Sequence, residues 1–325
     1  MNWNDYKIRH PDTQFLRALA IMLVINSHLK SYYPISHLGT GGAIGNSVFF
    51  FLSAFGLYIS QQEVNKHFRD WFTNRIGRIY PSLWIVLISL YMPSFIWQGK
   101  LSYSTITTFI SYFFNPPFWF LQALLVYYLL AFPLLKNLWK TNILLILGLL
   151  SLLYIGCYIT IVDLSRWSVE ESPFDLIHYF MVFIFGIYIA KKNKDIVYSG
   201  VKDYLYLCSL IGLFYAHKFL MLKGLYLEYQ FLQQASIYPI LYYLLKISRS
   251  PLIVTKLLSS PYLSRSVAFI ANNTLEIYMV HETISYPVLY MQMPFPINII
   301  AFLILTVSLS AVVNRLAKAV RRRIL

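Results

Sequence analysis

The chain has 325 residues, of which 58% are hydrophobic and only 12% charged, and its mean hydropathy is +0.57. That balance excludes a soluble domain with ordinary charge usage and requires an integral membrane protein. The formal net charge of +14 would suggest nucleic acid in a soluble chain; among membrane spans it is read by where the charges fall.

A hydrocarbon core about 30 Å thick takes roughly 20 apolar residues per helix. Hydropathy with polar punctuation gives spans near 13–33, 43–61, 79–98, 118–135, 142–162, 174–190, 202–220, 228–246, 267–290 and 296–314, so the expected fold is an all-α integral membrane protein of about ten transmembrane helices. No linker, repeat or low-complexity segment interrupts it, and residues 1–325 are expected to form a single membrane-embedded domain. No small-residue cleavage pattern follows the first apolar run, which reads as a retained helix. Cys157 and Cys208 both lie in apolar runs and give neither a disulfide framework nor zinc-type spacing.

The first span is interrupted by Arg17 and His28. Eleven residues separate them by about 16 Å along a helix and only about 20° beyond three turns, so they share one face. An arginine inside an apolar span faces protein or a wet cavity rather than lipid. Asn26, Ser27, Lys30, Tyr32 and Tyr33 surround His28, a setting that suits either an interfacial cap or a group that exchanges protons near neutral pH.

At the third span, Arg75 and Arg78 in NRIGRIYPSLW lie three residues apart on one helical face. Such a pair can grip a phosphate through forked, charge-assisted bonds, or simply anchor the helix on the cytoplasmic side. Tyr80 follows in the same stretch. Trp119, at the start of the fourth span, fits an aromatic belt. In the ninth span Glu276 and His281 are intramembrane ionisable groups and so functional candidates. Five residues of helix turn them about 140° apart, which sets them against pairing with each other. His10, His37, His67, His178 and His217 read as solvated or capping. No nucleophile elbow, phosphate loop or paired metal spacing is present, so no metal is expected.

With the N-terminus inside, 21 of the 27 Lys and Arg fall on the cytoplasmic side, five (Lys30, Lys100, Arg166, Lys218 and Lys223) fall outside, and Arg17 lies within a span. That asymmetry predicts an even number of spans with both termini cytoplasmic. The excess charge then lies against anionic membrane lipid and no nucleic acid is required. Arg17 falls near the cytoplasmic end of its span, and His28 and His281 in the outer half of theirs.

In order along the chain, Arg17 and His28 with ten residues between them, FFFLSAFGLYI, RIGRIYPSLW, FWFLQALLVYYLLAFP, FGIYIA and LEIYMVH together resemble the acyltransferase type three family of bacterial multi-span enzymes. Gln14 and Phe15 stand where the family often has Asp-Gly, and Ala54 replaces the glycine of its Ser-Gly-Phe. The resemblance implies an O-acetyltransferase-like enzyme of the bacterial cytoplasmic membrane. It takes an acyl group from cytoplasmic acyl-CoA, commonly acetyl-CoA, as donor substrate with no bound cofactor, to a hydroxyl of a surface carbohydrate or lipid-linked sugar. On that reading His28 is the general base and Arg17 lines the path of the donor's arm. Arg75 and Arg78 hold its phosphates, while Tyr80, Trp119, Glu276 and His281 shape the substrate sites. The rival reading is a transporter or flippase for a polysaccharide precursor. Such proteins often carry repeated halves and matched broken helices, and neither is visible here.

Overall fold

The computed structural model describes residues 11–63, 67–97, 99, 102–136, 142–161, 163, 165, 174–285 and 293–324, and every regular element in them is helical. The helices are α1 (Pro11–His28), α2 (Gly42–Glu63), α3 (Phe68–Val86), α4 (Met92–Trp97), α5 (Tyr103–Tyr112), α6 (Trp119–Lys136) and α7 (Ile143–Ile161). They continue as α8 (Phe174–Lys191), α9 (Val201–Leu222), α10 (Gln230–Ser248), α11 (Pro261–Asn272), α12 (Thr274–Ile284) and α13 (Ile297–Ile324).

Among the described residues, seven helical segments are long and apolar enough to cross a membrane: Ser36–Gln62, Phe68–Ser94, Trp119–Lys136, Ile143–Ile161, Phe174–Lys191, Val201–Leu222 and Ile297–Arg323. The other three expected spans fall short of that standard for visible reasons. The first is long enough at 18 residues but carries Asp12, Gln14, Arg17, Asn26 and His28, and it ends before Tyr33, which precedes Pro34 and is extended (φ −88°, ψ 144°). The eighth opens on buried Gln230, Gln233 and Gln234. The ninth is two helices, broken at Asn273. Asparagine competes with helical bonding through its own side chain, and the Asn273 amide donates to the Phe269 carbonyl at 2.6 Å. Asn314 on α13 donates to the Asn272 carbonyl and to the Asn273 side-chain oxygen at 3.2 and 2.6 Å, satisfying the opened backbone. Residues 286–290, the end of that expected span, lie outside the described residues.

The third span begins eleven residues before the hydropathy placed it, so Asn74, Arg75 and Arg78 sit within α3. A π turn at Leu87–Tyr91 separates α3 from α4, just before Pro93 withholds a donor from the helix. α5 lies in a stretch that reads as a loop; the Ser102 hydroxyl caps it by accepting the Thr105 N–H.

The chain folds into two compact units. One comprises the described residues within 1–16, 47–65 and 129–265. Its core gathers Phe50, Phe51 and Phe55 with Val182, Phe183 and Ile187, all essentially buried. Gly186 admits the Phe51 carbonyl oxygen where a Cβ would collide with it. His178 is buried, 3% exposed, with Nδ1 3.5 Å from the Tyr238 hydroxyl, so the expectation of a solvated or capping histidine is corrected. It lies one turn into α8, where the helix packs rather than caps. Lys246, expected as a cytoplasmic anchor, is buried against Asp203 at 2.8 Å and the Ser199 hydroxyl at 2.9 Å.

The other unit comprises 17–46, 66–128 and 266–325 and carries the candidate site. Its core runs through Ile21, Val24 and Ile25 of α1, Leu83 and Val86 of α3, Ile277, Met279 and Val280 of α12, and Phe302 of α13. α1 and α2 meet closely because residue 45 is glycine: a Cβ there would lie 2.8 Å from the Ala20 carbonyl oxygen and 2.9 Å from a Val24 methyl. Gly56 in α2 faces open space. Overpacking a close contact costs roughly 1–3 kcal/mol. Thermal unfolding in detergent is therefore expected to show a lowered midpoint for Gly45→Ala and no loss for Gly56→Ala.

Candidate functional site

The site is built where α1 ends and α12 passes. His281 is fully buried, and its Nδ1 lies 3.1 Å from the Ile277 carbonyl four residues back. A carbonyl only accepts, so Nδ1 carries the proton and Nε2 presents a lone pair. His28 Nδ1 lies 3.2 Å from that Nε2 and 3.0 Å from the Val24 carbonyl. Both neighbours accept, so His28 also carries its proton on Nδ1. Its Nε2 lone pair is left on a side chain that is 39% exposed. The rings meet edge to face with centroids 5.0 Å apart.

Glu282, the residue after His281, completes the group. Its Oε2 lies 3.5 Å from His28 Nε2 and 3.7 Å from His281 Nε2, and it has no hydrogen-bond donor. The sequence reading missed this carboxylate because it looked like the polar end of a span; its adjacency to an intramembrane histidine was the available signal. Ligand atoms of His28, His281 and Glu282 lie within 4.8 Å of one another, the one such group among the described residues. His281 Nε2 already accepts the His28 N–H, so a cation would have to displace that bond.

The residues expected to decorate His28 mostly hold the chain around it. The Asn26 amide donates to the Leu38 and Thr40 carbonyls at 2.8 and 2.9 Å and accepts from the Tyr33 hydroxyl, tying down the loop after α1. The Tyr32 hydroxyl donates to the Ser285 carbonyl at 2.9 Å, and Asn298 of α13 donates to the Tyr32 carbonyl at 2.9 Å. These bonds fix the end of α1 against the end of α12.

Glu276 and His281 diverge, as their spacing requires. Glu276 is buried and accepts a 2.6 Å bond from the Ser82 hydroxyl of α3. Ser82 is one turn beyond Arg78. Arg75 is half-buried, its guanidinium 6.0 Å from the Trp71 ring centre and 5.9 Å from that of Tyr128; Arg78 is exposed. Arg17 is half-buried on α1, eleven residues before His28. Tyr80 and Trp119 stand apart from the histidines. The Tyr80 hydroxyl donates to the Phe114 carbonyl at 2.8 Å, and Trp119 is exposed with its ring against Phe120. Phe118 and Phe120 are the residues of that stretch whose rings pack on Tyr278 of α12.

Arg78 lies four residues, about 6 Å of helical rise, before Ser82 on α3, and Glu276 lies five residues, about 7.5 Å, before His281 on α12.

The acyltransferase domain profile of family 3 matches residues 12–315, most of the chain. The chain belongs to acyltransferase family 3. It is therefore a multi-pass membrane acyltransferase, and family membership favours the enzyme over the transporter. Neither the comparison with curated proteins nor that with solved structures gives a significant match.

The buried pair at the centre of the acyltransferase has a stability consequence. Leaving one partner of a buried hydrogen bond unsatisfied costs about 1–3 kcal/mol, whereas removing both is nearly neutral. Ser82→Ala is expected to lower the thermal midpoint, and Ser82→Ala with Glu276→Leu to recover most of it.

Proposed function

We propose that this acyltransferase moves an acyl group, acetyl in the first instance, from cytoplasmic acyl-CoA to a hydroxyl of a surface carbohydrate or lipid-linked sugar. In this reading it lies in the bacterial cytoplasmic membrane with about ten spans and both termini inside. The whole chain acts as one catalytic domain. The observation that carries it is the Nε2 edge of the part-exposed His28 ring, turned towards Glu282 by the placement of Nδ1 between the Val24 carbonyl and His281.

The acceptor hydroxyl gives its proton to His28 Nε2 as its oxygen attacks the thioester carbonyl. The tetrahedral intermediate collapses, the carbon–sulfur bond breaks, and the CoA sulfur takes the proton back from His28. Each turnover thus converts one thioester and one alcohol into one ester and one thiol. Glu282 Oε2, 3.5 Å from Nε2, stabilises the imidazolium while it exists. His281 holds the ring's tautomer and orientation from behind. A hydroxyl proton between His28 Nε2 and Glu282 would also relieve two facing acceptors.

At the other end Arg75 and Arg78 hold the donor's phosphates. In this reading the two rises, joined by the Ser82–Glu276 bond, lie end to end and together are of the order of an extended phosphopantetheine arm. Arg17, on the same face of α1 as His28, lines the arm's path. Glu276 serves with Ser82 as a fixed wall between the two ends, and Tyr80 and Trp119 act on the loop and rim rather than on the reacting atoms.

The test is transfer of radiolabelled acetyl from acetyl-CoA in membranes at matched protein level. A general base contributes about 10²–10⁴-fold, so His28→Ala should lose label in the carbohydrate fraction by that order. Glu282→Gln should lose less, since it keeps the shape and removes only the charge. Equal labelling by His28→Ala would remove His28 from the centre while leaving an acyltransferase.

A further inference from the structure

α3 carries Pro81 in its interior, and proline has no N–H to offer the carbonyl four residues before it. That carbonyl belongs to Gly77, in the turn between Arg75 and Arg78. The Gly77 carbonyl is only partly buried, and a donor within reach can take the place of the missing N–H. Arg321, in the last turn of α13, provides it: Nε donates to the Gly77 carbonyl at 2.7 Å and Nη2 to the Arg78 carbonyl at 2.8 Å. Two parallel N–H groups on two successive carbonyls is a geometry that the planar guanidinium matches and an ammonium does not. The same contact sets a third cation beside Arg78.

We propose that Arg321 is a positioning residue for the donor site: it fills the hydrogen-bond gap left by Pro81 and so fixes the turn that presents Arg75 and Arg78 to the phosphates of CoA. The proposal rests on the reading of Arg75 and Arg78 as the donor-phosphate residues. It separates Arg321 from its neighbours Arg322 and Arg323, which are exposed at the helix end.

The experiment measures binding of CoA, and of pantetheine as a ligand without phosphates, to the purified full chain in detergent. Arg321→Gln should weaken CoA binding by about tenfold, the size of one displaced charge-assisted contact, and leave pantetheine binding unchanged. Pro81→Ala restores an N–H to the Gly77 carbonyl, so Pro81→Ala alone should bind CoA as the parent does. Combined with Arg321→Gln it should recover most of the loss. Arg321→Lys keeps the charge and loses the fork; it should resemble Arg321→Gln and serves if the latter fails to fold. CoA binding unchanged in both Arg321 variants, or an equal loss for CoA and pantetheine, would overturn the inference. So would failure of Pro81→Ala to rescue. If Arg75→Gln and Arg78→Gln also bind CoA like the parent, it is the underlying donor-site reading that fails.

Discussion

The hydrogen bond between His281 and His28 constrains most of what surrounds it. A fully buried imidazole needs partners for both nitrogens. His281 meets the need by giving one to its own helix and the other to a side chain from the first helix. The bond works only if α1 stops where it does. Had the helix run on to Tyr33, the loop carbonyls that Asn26 holds and the Tyr32 hydroxyl that reaches Ser285 would be elsewhere. Pro34 keeps Tyr33 extended so that the chain turns away after α1, and glycine at 45 lets α2 approach α1 closely.

The same economy explains the asymmetry of the pair. One histidine is buried and one is 39% exposed, and the difference follows from their places on the helices rather than from their types. His281 lies in the body of α12, where neighbours cover it. His28 is the last residue of α1, where the chain turns away and leaves the ring edge open. On the proposed reading the base that meets a substrate sits at the helix end, and the residue that holds it in one tautomer sits in the interior.

Much of this was legible in the sequence, and the parts that were not share a cause. Composition pointed to the membrane class, hydropathy placed ten spans of which seven are helices long and apolar enough to cross a membrane among the described residues, and Arg17, His28, Glu276 and His281 stood out as ionisable groups inside apolar runs. Hydropathy averages over a window, however, and so it smoothed over the Asn273 break and began the third span eleven residues late. It also treats a charged residue at a span end as an anchor. Lys246 therefore passed as surface charge although it is buried on Asp203, Arg321 was hidden in a basic terminus, and Glu282 passed as the edge of a span. Pairing between distant helices decides these cases: His28 and His281 are 253 residues apart, Ser82 and Glu276 194. No spacing rule reaches that far.

α13 ties the irregularities together. Within the site-bearing unit, besides the π turn at Leu87–Tyr91, backbone hydrogen bonding is interrupted at the loop after α1, at Pro81 and at the α11–α12 break. Each interruption exposes carbonyls that lipid cannot satisfy. Asn298 donates to the first, Arg321 to the second and Asn314 to the third. Asn314 and Arg321 are seven residues apart, about 20° short of two turns, and so lie in one stripe. A helix that reads as a plain terminal span is thereby the donor strip for the elements that carry the histidines and the arginine turn. Its sequence could be apolar throughout and still cross a membrane. The three polar side chains answer the carbonyls that a loop, a proline and a helix break leave open beside it.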